Sequence, residues 1–292
     1  MFDFKKIART ISIIENHLPG YEDILLHLPE IVSSPIIGIT GPPGSGKSTV
    51  TDKLIGEIVN QNKTVAVLCI DPSSPFNMGA LLGDRIRMSD WYTHTNVFIR
   101  SLASRKALGG LCPMIVEITE YLKTAGFDFI IIETVGVGQT EIDIAGLADI
   151  TIVTLTPETG DEIQTMKSGI IEIADIFVVN KSDKSGADVL VKNLNSMLAP
   201  HMKVNDAIPI IKTVANTGTG IDELYKIIEE KVTHVKIIDD KKCWLLAERA
   251  YQIIQLNRMK NVDTVYLFEQ IKKQMQNGER FNLYRFVQPM LA

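Results

Sequence analysis

Eight residues, Gly41-Pro42-Pro43-Gly44-Ser45-Gly46-Lys47-Ser48, constrain this 292-residue chain more than any others. They follow an apolar run, Ile36-Ile37-Gly38-Ile39-Thr40, and precede a helix-like stretch from Thr49 to Ile58. Strand, glycine loop and helix in that order form the setting in which this spacing wraps the phosphates of a nucleotide. Successive backbone N–H groups of such a loop point inward. Gly41, Gly44 and Gly46 leave room for close approach, and the helix N-terminus behind the loop adds partial positive charge. Lys47 brings a full charge to the β- and γ-phosphates, and the Ser48 hydroxyl can ligate Mg²⁺. The candidate phosphate-side contacts are therefore Gly41, Pro43, Gly44, Ser45, Gly46, Lys47, Ser48 and Thr49.

Downstream, short apolar runs alternate with helical patterns. The strand candidates are Thr64–Ile70, Asn96–Arg100, Phe127–Glu133, Asp149–Leu155, Asp175–Asn180 and Ile208–Thr213. This alternation predicts an α/β fold, a mainly parallel P-loop NTPase sheet with helices on both faces. Ahead of it, Ile7, Ile11, Ile14 and Leu18 fall at helical spacing until Pro19-Gly20, and a second short helix runs from about Tyr21 to Val32. From about Thr233 the chain turns helical, with its clearest segments at Trp244–Ile254 and Thr264–Gln274; this tail reads as a capping layer or as a dimerisation arm. The expected division is an N-terminal helical segment over 1–34, a P-loop domain over 35–232 and a C-terminal helical segment over 233–292.

Ligands of parallel sheets bind at the carboxyl ends of the strands, and the polar motifs stand there. Asn180-Lys181-Ser182-Asp183 ends one strand. The Asp183 carboxylate can accept from guanine N1–H and the exocyclic amine, a donor pair that adenine lacks, so adenine leaves it unsatisfied. Asn180 and Lys181 brace the loop and cover the base. Ala215 and Asn216, after a later strand, could reach the base edge through backbone N–H groups. Glu133 ends the strand that runs into Thr134–Thr140, the usual place for an acid that holds Mg²⁺ directly or through water. In that connection Gly136 could donate to the γ-phosphate and Gln139 could position water. Asp71 ends another strand, and Asp71 and Asp84 can supply further oxygen ligands. Residues 72–88, including Arg85 and Arg87, read as a switch segment or a solvated loop, and 156–169 as a further mobile segment. The candidate catalytic set is Lys47, Asp71, Glu133 and Gln139; the candidate metal set is Ser48, Asp71, Asp84 and Glu133.

Net charge is −5 without a basic stripe, so nucleic acid is not an expected partner. Cys69, Cys112 and Cys243 are far apart and odd in number, which suits a reducing compartment. No apolar run is long enough to cross a bilayer and the first ten residues lack a signal-peptide core, so the expectation is cytoplasmic, with no membrane partner.

Taken together, GPPGSGKS at 41–48, IDPSSPFNMGALLGDRIRM at 70–88, SLASRKALGGL at 101–111, IIETVGVGQTE at 132–141, TMKSGIIEIADIFVVNKSD at 165–183 and TGTGIDEL at 217–224 resemble the MeaB/ArgK family of P-loop GTPases within the SIMIBI group. The resemblance covers roughly 36–230. It implies GTP hydrolysis with GTP/GDP and Mg²⁺ as ligands. It also implies service to an adenosylcobalamin-dependent acyl-CoA mutase of the methylmalonyl-CoA mutase type, gating cofactor loading and protecting the mutase, by a homodimer joined through its C-terminal helices. By the same resemblance Lys47 contacts phosphate, Ser48 binds Mg²⁺, Asp71, Asp84 and Glu133 build the metal shell, Asn180, Lys181 and Asp183 hold guanine, and the Gln164 and Lys167 region communicates with the mutase. The alternative is a nickel-insertion GTPase of hydrogenase or urease maturation, a role that wants clustered Cys or His. Val214-Ala215-Asn216 departs from the Ser-Ala pair that relatives often carry.

Overall fold

The computed structural model describes residues 2–29, 34–71, 88–104, 112–134, 140–159, 172–199, 207–233, 240–259, 264–276 and 282–288. Seven strands form one sheet: β1 (Ile36–Thr40), β2 (Val65–Asp71), β3 (Val97–Ala103), β4 (Phe129–Glu133), β5 (Ile150–Leu155), β6 (Ile176–Val179) and β7 (Ile210–Lys212). Their order is β3-β2-β4-β1-β5-β6-β7, and every pairing is parallel. The ten helices among the described residues are α1 (Phe4–Glu15), α2 (Tyr21–Leu26), α3 (Lys47–Asn60), α4 (Ile115–Thr124), α5 (Thr140–Leu147), α6 (Ala187–Leu198), α7 (Ile221–Val232), α8 (Asp240–Arg258), α9 (Thr264–Gln276) and α10 (Leu283–Val287).

The strands read as largely apolar runs because both faces are covered, and the two-residue repeat of a strand sorts each run between those faces. Ile37, Ile39, Val65, Val67, Phe129, Ile131, Ile150 and Ile152 pack with Leu54, Ile55 and Ile58 of α3 and Leu224, Tyr225 and Ile228 of α7. The alternate residues face the other way. Ile36, Ala66, Leu68, Ile130 and Ile132 meet Ile7, Ile11 and Ile14 of α1, Ile115, Ile118 and Leu122 of α4 and Ile144 of α5. Val153, Leu155, Phe177 and Val179 meet Leu190, Leu194 and Leu198 of α6. Each such side chain contributes about 1.5–3 kcal/mol by leaving water.

Gly38 is where α5 comes closest. A Cβ there would stand 2.7 Å from Ile144 Cγ1 and 2.9 Å from Ala148 Cβ, so the helix lies against bare β1 backbone. Helix α1 starts on Asp3, whose carboxylate accepts from the Lys6 N–H at 2.9 Å, an N-cap contact. Arg100 of β3 fastens the other end, with 3.0 Å contacts from Nη2 to Ser12 Oγ and Glu15 Oε2. Leu18 lies past the helix end and is exposed.

The chain divides into two compact units, Met1–Leu245 and Leu246–Ala292. The division falls inside α8. In the second unit Tyr251, Ile254, Leu256, Val265 and Phe268 are all exposed. Among the described residues no helix is long and apolar enough to cross a membrane.

Candidate functional site

Parallel pairing brings the carboxyl ends of all seven strands to one edge of the sheet. The 41–46 loop leaves β1 there and enters α3 at Gly46, whose φ of +86° is left-handed. Within the loop Ser45 N–H donates to Pro42 O at 3.2 Å. Lys47 is buried, and its Nζ donates to Gly41 O at 2.9 Å and Pro42 O at 3.1 Å. The ammonium thus lies over its own loop, where the phosphates of a nucleotide would be cradled.

Two acids end neighbouring strands. Glu133 pairs in register with Cys69, two residues before Asp71. By strand parity both carboxylates project to the face that α3 covers, and both are buried. Ser48 Oγ donates to Glu133 Oε1 at 2.5 Å. One residue on, Thr134 Oγ1 donates to Thr40 Oγ1 at 2.9 Å, joining the roots of the loops that leave β4 and β1.

Asn180 is the bracket of the site. Its Nδ2 donates to Ser45 O at 3.0 Å; its Oδ1 accepts from Thr213 Oγ1 at 3.2 Å and from Ala215 N–H at 3.1 Å. One buried side chain therefore joins the phosphate loop, the β6 exit and the β7 exit. Ser182 N–H adds a bond to Thr213 O at 3.0 Å. Lys181 takes φ +53°, and Asp183 is exposed at the loop tip.

Residues 7–265 match the family described as Methylmalonyl Co-A mutase-associated GTPase MeaB. The chain belongs to the MeaB family. A GTPase-family protein of Pyrococcus horikoshii is 44% identical over 243 residues, covering 82% of this chain and 76% of that one. GTPase ArgK of Escherichia coli is 32% identical over 238 residues, 76% of this chain and 70% of that one. The fused isobutyryl-CoA mutase of Paraburkholderia xenovorans is 36% identical over 241 residues, 78% of this chain but 19% of that one. Among solved structures, a LAO/AO transport system kinase superposes with TM-score 0.65 at 22% identity, covering 99% of this chain and 94% of that one. HypB from Helicobacter pylori in complex with nickel gives TM-score 0.54 at 17% identity, covering 80% of this chain and 99% of that one. These two likenesses are of fold. As a MeaB-family member the chain is a P-loop GTPase, and a guanine nucleotide is its ligand.

In this MeaB-family chain the donors near the loop suit a hard divalent cation. Ser48 and Glu133 are in contact, Asp71 projects to the same side, and all three offer oxygen, the ligand type Mg²⁺ prefers. Among the described residues no group of three or more His, Cys, Asp and Glu gathers anywhere, so Asp71, Glu133 and Ser48 are a partial ligand set. Such a site draws its remaining ligands from phosphate and water.

Other expectations meet the structure unevenly. Gly41, Pro43, Gly44, Ser45, Gly46, Lys47, Ser48, Thr49, Asp71, Glu133, Asn180, Lys181, Asp183, Ala215 and Asn216 all stand at or beyond strand ends on this edge. The Ala215 N–H, expected at a base edge, is directed to Asn180 Oδ1; Asn216 is exposed beside it. Asp84, Arg85, Arg87, Gly136, Gln139, Gln164 and Lys167 lie outside the described residues. Thr40, Thr134 and Thr213 escaped sequence reading, since a threonine at a strand end has no motif of its own. A cleft of about 560 Å³ lined by Pro35, Lys63, Phe127 and Asp128 opens at the amino ends of β1 and β4, the opposite edge.

Proposed function

We propose that this GTPase is a Mg²⁺-dependent switch that gates cofactor loading into, and protects, an adenosylcobalamin-dependent acyl-CoA mutase. The observation that carries the reading is the likeness to a fused isobutyryl-CoA mutase, a chain of which 19% is 36% identical to this GTPase. A covalent fusion keeps its two parts at high effective concentration, which suits parts that act on each other. The family description points the same way.

In this reading Lys47 exchanges the Gly41 and Pro42 carbonyls for phosphate oxygens. Ser48, Asp71 and Glu133, with Asp84, would hold the metal and its waters, and Mg²⁺ held there would supply positive charge against the β- and γ-phosphate oxygens. Asp183 selects guanine and Asn180 keeps the base loop in register with the phosphate loop. In the chain, segments 72–88, 134–140 and 156–169 follow strands whose ends lie at the nucleotide edge, and in this reading they respond to the γ-phosphate and touch another protein. The apolar residues exposed on α8 and α9 support a homodimer formed through the C-terminal unit; cutting the chain after Leu245 should then yield a monomer in sedimentation, and an unaltered mass ratio would count against the arm.

The function is tested by GTP turnover with and without the cobalamin-dependent mutase of the same genome. The mutase should accelerate hydrolysis, and substitutions of Gln164 or Lys167 should reduce that acceleration more than they reduce nucleotide affinity. Because coupling is reciprocal, GTP must also alter affinity for the mutase. Absence of acceleration, together with no complex in either nucleotide state by sedimentation, refutes the mutase assignment and leaves the GTPase intact.

A further inference from the structure

Glu158 opens the 156–169 segment and is not among the candidate nucleotide contacts, yet it is the acidic partner of two lysines in the loop after β6. Its Oε2 lies 3.5 Å from Lys181 Nζ, and its Oε1 accepts a short hydrogen bond from Lys184 Nζ. The two ammonium groups stand three residues apart on one tight turn, in which Lys184 N–H donates to Lys181 O at 3.0 Å. Like charges so placed repel unless an anion sits between them. The carboxylate is delivered by β5, which ends at Leu155 and turns through Pro157–Thr159. That turn packs against the start of α6: a Cβ on Gly186 would lie 3.6 Å from Pro157 Cβ. The position of Glu158 thus follows from the end of β5 and from the seat of its turn on the start of α6. Lys184 first, then Lys181, keeps the Glu158 carboxyl below the usual carboxylate range, so it is ionised at neutral pH. Lys181 itself is in the left-handed region at φ +53°, a conformation few lysines adopt, so the loop needs external support to keep its shape.

We infer that Glu158 is a positioning residue for guanine recognition, holding Lys181 and Lys184 together so that the 180–183 loop presents Asp183 and the Lys181 stem to the base. The inference rests on the reading of Asn180–Asp183 as the guanine loop. Its consequence is selective. Among the described residues Glu158 is bonded to the base loop and has no hydrogen bond or ion pair with the 41–48 loop, so its loss weakens ligands that carry a guanine and spares ligands that carry phosphate alone.

The test uses the full chain and displacement of a fluorescent GDP analogue by GTP, GDP and inorganic tripolyphosphate. Glu158→Gln should weaken GTP and GDP alike by roughly two- to fivefold, the range of an exposed ion pair, with the loss in turnover falling on KM rather than kcat. Glu158→Lys should weaken both further, because three cations then converge. Tripolyphosphate should compete as it does against the wild type. The gap between variant and wild type should shrink at about 1 M salt, where the Debye length is about 3 Å. Unchanged GTP and GDP affinity in both variants, or a matching loss for tripolyphosphate, overturns the inference. Asp183→Asn separates this from the underlying reading. If that variant fails to shift preference from guanine toward xanthine nucleotides, the guanine-loop reading falls and takes the inference with it. If it shifts preference while the Glu158 variants are silent, only the inference falls.

Discussion

A methyl group placed on Gly41 should damage this protein more than one on Gly44 or Gly46, and the structure gives the reason and the size. Gly41 has φ +141°, and a Cβ there would lie 2.1 Å from Thr154 O and 3.0 Å from Thr154 C. A close carbon–oxygen contact is about 3.3 Å, so the backbone of the loop or of β5 must move by roughly 1 Å. No rotamer can relieve the clash, because both partners are main chain. Strain at the dihedral adds about 1–3 kcal/mol and the enforced shift about 1–3 kcal/mol more, which lowers the melting temperature by about 5–20 °C for a unit of this size. A 1 Å displacement of a phosphate cradle also reduces turnover by on the order of a hundredfold. Gly44 is left-handed too, at φ +76°, but nothing lies within 4 Å of its Cβ position; its alanine variant should lose only about 1–2 kcal/mol. At Gly46, left-handed at φ +86°, the Cβ would meet Asn180 Nδ2 at 2.3 Å, so alanine there should break the Asn180–Ser45 bond, a loss of about 1–3 kcal/mol if the amide stays buried, on top of about 1–2 kcal/mol of dihedral strain; the far end of a side chain can give way where the Thr154 main chain cannot. Thermal melts of the nucleotide-free chain and titration with a fluorescent GDP analogue measure both consequences. Equal melting temperatures for Gly41→Ala and Gly44→Ala would refute the reasoning, since the contact with β5 is what separates them.

Lys47→Ala should abolish most GTP hydrolysis, because it removes the charge aimed at the phosphates; undiminished turnover would place the active site elsewhere. Lys63 and Glu229 form an ion pair that Tyr225 joins through a 2.8 Å bond from its hydroxyl to Glu229 Oε1, with the Lys63 ammonium 5.3 Å from the Phe129 ring centre. The hydrogen bond to Glu229 raises the Lys63 pKa, and the bond from Lys63 lowers that of Glu229. A lowered carboxylate contributes stability above its unfolded pKa of about 4.5 and loses it as pH falls through the folded value; a raised lysine contributes below about 10.5 and loses it as pH rises through its folded value. Lys63→Met should therefore destabilise by about 0.5–1 kcal/mol near pH 7, a figure kept small because both side chains are substantially solvated, and the difference should narrow toward pH 3 in urea melts. A pH-independent difference would assign the effect to packing alone.

The sequence by itself determined the element order and the chemistry of the phosphate loop, because both are local. A strand that fits between two helical layers is mostly apolar, so β4 and β6 stand out as runs, and a phosphate cradle needs Gly41, Gly44, Gly46, Lys47 and Ser48 in continuous chain. Asp71 and Glu133 were legible for a related reason: an acid that ends an apolar strand in a parallel sheet lies on the ligand edge whatever the order of the strands, and Asp183 was legible through the Asn180–Asp183 pattern just past another strand. Tertiary structure alone decided which ends became neighbours. The order β3-β2-β4-β1-β5-β6-β7 brings Glu133 to Ser48 across 85 positions and Asn180 to Ser45 across 135, and no local pattern encodes a contact of that range. The same is true of Gly38, which looks like an ordinary strand glycine until α5 packs on it, and of the Thr40–Thr134 link. Glu158 makes the point most sharply. In the chain it is one acid in a polar turn, and only the crossover that lays β6 beside β5 places it between two lysines, because strand pairing fixes where the turns that follow must come out.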